Sequence, residues 1–134
     1  MFGKASNNKP HNRIDSLVGA GTSVTGDVIF NGGLRIDGEV RGNVRGAADK
    51  PSTLVVSEHA RIEGEISVTH LVINGTVTGP VHASEFLELQ SCARVTGDVE
   101  YSTIEIQLGA VVQGRLVHQA THTKAVELKL AASN

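Results

Sequence analysis

One aliphatic column constrains this chain more than any other feature. It reads Val18, Ile36, Val56, Ile73, Leu89 and Ile106, with steps of 18, 20, 17, 16 and 17 residues. A glycine follows each member, eight positions on in four units and six in the other two: Gly26, Gly42, Gly64, Gly79, Gly97 and Gly114. Two residues before each glycine stands a second column: Val24, Val40, Ile62, Val77, Val95 and Val112. Two residues after it stands a third: Val28, Val44, Ile66, Val81, Val99 and Leu116. A fourth, two before the first, reads Ser16, Leu34, Leu54, Leu71, Leu87 and Ile104. Self-similarity at such a period marks a solenoid or another repeat fold. Spacing of two within each unit belongs to strands with one face inward, and no unit shows helical periodicity.

The expected fold is all-β: a single-domain parallel β-helix, or β-solenoid, of about six rungs with flexible N- and C-terminal tails. A rung of about 17 residues holds about three short strands, and glycine suits the sharp corners because it accepts positive φ. Rungs about 4.8 Å apart give a rod roughly 30 Å long. Each buried Val, Ile or Leu contributes about 1.5–3 kcal/mol, but one rung cannot cover its own inner face, so neighbours must. Aromatic residues are only 3% of the chain, in keeping with a narrow bore. Phe30, Phe86 and Tyr101 fall outside the four columns and are expected at corners, covering edge surface.

The residue after each glycine reads Asp27, Asn43, Glu65, Pro80, Asp98 and Arg115. Its acids never fall on adjacent rungs, as an in-register surface column requires. Units anchored at Ile36 and Ile73 are two residues shorter before the second column, so long and short corners alternate over the first five rungs. The stretch Gly46–Ser52 accounts for the 20-residue step and is expected as an exposed corner loop.

Three regions are expected: a tail at 1–15, the β-helix at 16–118 and a second tail at 119–134. The first tail has an apolar tip, Met1 and Phe2, followed by basic Lys4, Lys9 and Arg13, with no acid before Asp15. Its composition is that of a segment disordered in isolation. It reads as a membrane-targeting segment, since each basic residue near an anionic surface is worth about 1 kcal/mol. Many copies on a polymer would add avidity. Glycine is third rather than second, which excludes N-myristoylation. The second tail alternates Val126, Leu128 and Leu130 with Glu127 and Lys129, a pattern open to an added strand or a loose end.

Composition narrows the function. A net charge of −2 with few aromatics disfavours nucleic-acid binding. No long apolar run spans a membrane, and the absence of an apolar leader segment places the chain in the cytoplasm as an expectation. Cys92 stands alone, which gives no disulfide framework, and no His and acid accompany it as a nucleophile needs. Of the six histidines, His118 and His122 have i, i+4 spacing, but that converges on a metal only on a helix and no helical pattern surrounds them; no phosphate-binding loop occurs. No catalytic, cofactor-binding or metal-binding residue is therefore assigned, and no cofactor, nucleotide or enzymatic activity is expected.

A β-helix has two open ends, which repeat proteins normally cap. Leu17, Val18 and Val24 stand at the N-terminal rim, and Ile106, Val112 and Leu116 at the C-terminal rim. The C-terminal three are as apolar as any inner rung; the tail at 119–134 is open to covering that end but lacks a helical cap pattern, and no capping helix precedes the N-terminal rim. End-to-end stacking into a filament follows as the physical expectation.

With these residues in view, the chain resembles the bactofilins. The resemblance rests on the Met-Phe-x-Lys start (Met1, Phe2, Lys4), the entry from Arg13 to Leu17, the Val24-Thr-Gly26-Asp-Val28 rungs, the run from Leu34 to Gly38, and the close from Gly109 to Leu116. It implies a bacterial cytoskeletal protein with a right-handed β-helix core that polymerises without nucleotide. It also implies peripheral attachment to the cytoplasmic face of the inner membrane through the N-terminal segment. The implied partners are further copies of itself, inner-membrane lipids and cell-wall enzymes such as peptidoglycan hydrolases or synthases, with consequences for polarity and cell shape. Two other readings stand beside it. One is a non-polymerising β-helical adaptor. The other is a left-handed β-helix acyltransferase, whose hexapeptide spacing fits Val18, Val24, Phe30 and Ile36 but breaks at Val40 and Val44.

Overall fold

The computed structural model describes residues 14–119 of the chain. Rung 1 comprises β1 (Ser16–Val18), β2 (Ser23–Thr25) and β3 (Val28–Phe30). Rung 2 comprises β4 (Gly32–Ile36), β5 (Glu39–Arg41) and β6 (Val44–Gly46). Rung 3 starts with β7 (Ser52–Val56) and β8 (Arg61–Glu63). From there the chain passes between rungs inside single strands: β9 (Ile66–Ile73), β11 (Val81–Leu89) and β13 (Val99–Ile106). Between them lie β10 (Thr76–Thr78) and β12 (Arg94–Thr96), and β14 (Val111–Gln113) and β15 (Leu116–His118) complete rung 6.

Every strand pairing is parallel, and the register is that of the repeat. On the first face Val18 pairs with Ile36, Ile36 with Val56, Val56 with Ile73, Ile73 with Leu89, and Leu89 with Ile106. Two residues earlier, the column from Ser16 to Ile104 pairs the same way. The second face stacks Val24 through Val112, and the third stacks Val28 through Leu116. The inner-rung members of these columns form one continuous core, with Val18, Val24, Val28, Ile104 and Val112 packed against it. Strand periodicity points them inward, and the rungs above and below exclude water from them.

The glycine column makes the corner between the second and third faces. Its φ values run from 127° at Gly26 to 156° at Gly114, a region that L side chains avoid. Space imposes a second demand. A Cβ on Gly64 would collide with the carbonyl of Gly42 one rung below. Rung spacing at this corner is therefore set by backbone against backbone.

The residue after the glycine binds the rungs together. The amide of Asn43 donates to Asp27 Oδ1 at 3.0 Å, and the amide of Glu65 donates to Asn43 Oδ1 at 3.0 Å. The amide of Arg115 donates to Asp98 Oδ1 at 3.1 Å. Asp and Asn serve here because a short side-chain oxygen reaches a neighbouring amide. At Pro80 the column has no amide to offer.

The corner between the first and second faces comes in two sizes. In the long form the amides of Thr22, Ala60, Ala93 and Ala110 close turns on Gly19, Ser57, Gln90 and Gln107. In the short form the amides of Asp37 and Asn74 donate to the carbonyls of Val18 and Val56, each at 2.7 Å. Gly75 sits in a short corner against a long one: a Cβ there would run into the carbonyl of Ser57. The third corner varies most. It carries the loop 47–51, and a bulge in β11 between Ala83 and Phe86.

A fifth inward column lies on the third face, and it corrects the expectation for two aromatics. Phe30 pairs with Gly46, Val68 with Ala83, Ala83 with Tyr101, and Tyr101 with His118. Phe30 and Tyr101 thus sit in strands, partly buried against the core, rather than covering corners. Phe86 lies in β11 beside His70 and Thr103, half-buried.

Candidate assembly surfaces

The two ends of the rod differ from its middle in what they leave open. Among the described residues, β1, β2 and β3 each pair on one edge only, as do β14 and β15. Open strand edges present unpaired N–H and C=O groups, a ready template for another strand. The core columns open at the same places. Ile36, Val56, Ile73 and Leu89 are fully buried, whereas Ile106 in the same column is 49% exposed. In the third column Val44, Ile66 and Val99 are fully buried and Leu116 is 45% exposed. Val18, Val24 and Val112 are half-buried.

Leu17 has a different environment from its neighbours. It lies between inward Ser16 and Val18, in register with Arg35, and is 59% exposed. Strand alternation turns it to the side of the rod rather than into the rim. Several further exposed apolar residues that repeat columns cannot reveal lie on the terminal rungs: Ile14 and Ile29 on the first, Leu108 and Val111 on the last, with Ile29 and Val111 turned to the side as Leu17 is. Leu108 is almost wholly exposed at a corner where the other long corners carry Ala20, Glu58 and Ser91. An apolar residue at that corner position was its only sequence signal. Met1, Phe2, Lys4, Lys9 and Arg13 lie outside the described residues, as do residues 120–134.

Electrostatics near the ends is local. The Arg115 amide and guanidinium hold the Asp98 carboxyl below the usual range. Asp37 is lowered chiefly by a hydrogen bond from Ser57 on the next rung, with Arg35 adding at 2.9 Å. His82 Nδ1 meets Glu100 Oε1 at 2.6 Å, and His70 lies 3.5 Å from Glu85. Among the described residues no group of three or more His, Cys, Asp and Glu converges as a metal would require, and no helix is long and apolar enough to cross a membrane.

A stack of parallel rungs whose terminal strands, among the described residues, pair on one edge only defines a β-solenoid. A family model described as bactofilin, polymer-forming cytoskeletal, matches residues 16–117. The chain belongs to the bactofilin family, and is a cytoskeletal, polymer-forming protein. It is 29% identical over 103 residues to bactofilin BacO of Myxococcus xanthus (strain DK1622), covering 71% of this chain and 82% of BacO. It is 30% identical over 97 residues to bactofilin BacP of the same organism, covering 71% of this chain but only 40% of BacP. No solved structure gives a significant match.

Proposed function

We propose that the protein assembles end to end into filaments without nucleotide, lies along the cytoplasmic face of the inner membrane, and holds cell-wall or polarity proteins in place. The observation that carries this reading is the exposure of Ile106 and Leu116, in columns that the inner rungs bury. Joining two ends would cover the open core, at about 25 cal/mol per Å² of apolar surface removed from water, and pair the free strand edges. Assembly of this kind needs no bound switch. Membrane attachment is assigned to the segment from Met1 to Lys4, and clients to the sides of the rod.

Negative-stain electron microscopy of the purified chain, without nucleotide or metal, tests the first part. Filaments are expected. Leu116→Glu or Val18→Glu should abolish them while β-rich circular dichroism persists, because a charge would be buried unpaired at the joint. Filaments unchanged in both variants would remove these residues from the joint. Deletion of Met1–Lys4 should release filaments from anionic liposomes in flotation without ending polymerisation; equal flotation would defeat the anchor.

A further inference from the structure

We propose that the first face of the rod is a lateral interface on which a second copy of this chain lies antiparallel, Arg35 of each copy against Glu88 of the other. The inference rests on the end-to-end reading above and adds a second direction of assembly.

The outward column of the first face is Leu17, Arg35, Val55, Val72, Glu88 and Glu105, one residue per rung and in register. Lay two such rods side by side with opposite directions. Rung 1 then meets rung 6, with Leu17 opposite Glu105, rung 2 meets rung 5, and rung 3 meets rung 4. Arg35 falls opposite Glu88, and Val55 opposite Val72, each pair occurring twice about a two-fold axis. With the rods parallel, Arg35 would face Arg35, Glu88 would face Glu88 and Glu105 would face Glu105. Like charges in direct opposition are costly, so the column selects one relative direction.

Two further observations favour this face. Glu88 and Glu105 are direct cross-strand neighbours within one rod, a like-charge pair that an incoming guanidinium would relieve. Glu88 accepts from Gln90 and Gln107, both neutral and both through Oε2. Arg35 engages Asp37 through Nε at 2.9 Å, and a guanidinium has further donors beyond that one. The centre of this column is apolar: Val55 and Val72 are outward yet half-buried, with Thr53 and His70 two residues earlier in the same rungs and half-buried Phe86 next to His70 on rung 5. The second face also sets Glu39 of rung 2 against Arg94 of rung 5, but its centre is Arg61 and Thr76, and Arg94 already donates to the carbonyls of Ala93 and Gly109. The third face repeats the order of charge, Arg45 then Glu100, but its centre is Ser67 and His82, and Glu100 is already held by His82 at 2.6 Å.

Size decides when the contact forms. A face of about six rungs and three to four residues per strand offers roughly 300 Å² per copy. A stable interface buries about 800 Å² per partner. One pair of rods is therefore too weak to persist. Filaments repeat the contact at every rod, and avidity makes it stable.

Filament width by negative-stain electron microscopy, with circular dichroism on each variant, is the test. The unaltered chain is expected to form paired filaments, and the Leu116→Glu rod to sediment as an unpaired monomer. Arg35→Glu should lower the paired fraction by about tenfold or more, leaving single filaments. Arg35→Glu combined with Glu88→Arg should restore pairs, which a merely misfolded variant would not do. Single filaments from the unaltered chain, unchanged pairing in Arg35→Glu, or no recovery in the exchanged variant would each overturn the lateral interface while leaving end-to-end assembly intact. Absence of filaments of any width would overturn both.

Discussion

Ile73 and Ile106 are the same residue in the same column, one in the fourth rung and the other in the sixth and last. The first is fully buried and the second 49% exposed. Nothing in their own strands separates them. In a solenoid each rung is covered by its neighbours, so burial is a property of position along the axis. Among the described residues the terminal rungs are thus core covered on one side only, and on that contrast rests the proposal that the ends assemble.

The contrast can be broken at its strongest point, the glycine column. Gly64→Ala combines a disfavoured φ with overlap on the Gly42 carbonyl, and is expected to cost up to about 6 kcal/mol. Gly26→Ala has the same disfavoured φ, but a Cβ there meets nothing within 4 Å. It should cost only about 1–3 kcal/mol. Urea denaturation of both variants in the Leu116→Glu background, which is expected to keep rods single, measures the difference. Equal losses would mean that the overlap is absorbed by relaxation. Next in size is Ile73→Ala, expected to lose about 2–5 kcal/mol, against about 1 kcal/mol for Ile106→Ala. The same titration checks this, and comparable losses would show that the last rung is already covered.

The smallest effect is electrostatic. The Asp98 carboxyl is held down by the Arg115 amide and guanidinium, joining rung 5 to rung 6. A lowered carboxylate stabilises the fold fully above its unfolded pKa of about 3.9, and that contribution is lost as pH falls through the folded value. Acid should therefore loosen the last rung. Asp98→Asn keeps a side-chain oxygen for the Arg115 amide, as Asn43 does for Glu65, and should flatten the stability profile below about pH 4. A profile as steep as that of the unaltered chain would assign the acid sensitivity elsewhere, with Asp37 the next group to change.

The four aliphatic columns were legible because each repeats one residue class at a strand period, and pairing preserves that register rung by rung. The fifth column was not. Phe30, Gly46, Val68, Ala83, Tyr101 and His118 share no size or polarity, so no repeat marks them, although each follows the third column by two. Their sizes vary because the third corner varies: the loop 47–51 and the bulge in β11 both lie next to them. The ends were legible as the first and last repeats. The outward turn of Leu17 and the exposure of Leu108 were not, since a column alignment reports what a rung buries and is silent on what it leaves outside.

The hydrogen bonds between rungs run along the rod, while the covalent chain winds across it. Tension on a filament would therefore be carried by three strand ladders side by side, with peptide bonds bearing load only where the chain steps between rungs. In the proposed filament such a cable would resist pull evenly along each subunit. Its breaking strength would then be set by the joint where one copy meets the next, and reinforcement of that joint would toughen the whole fibre.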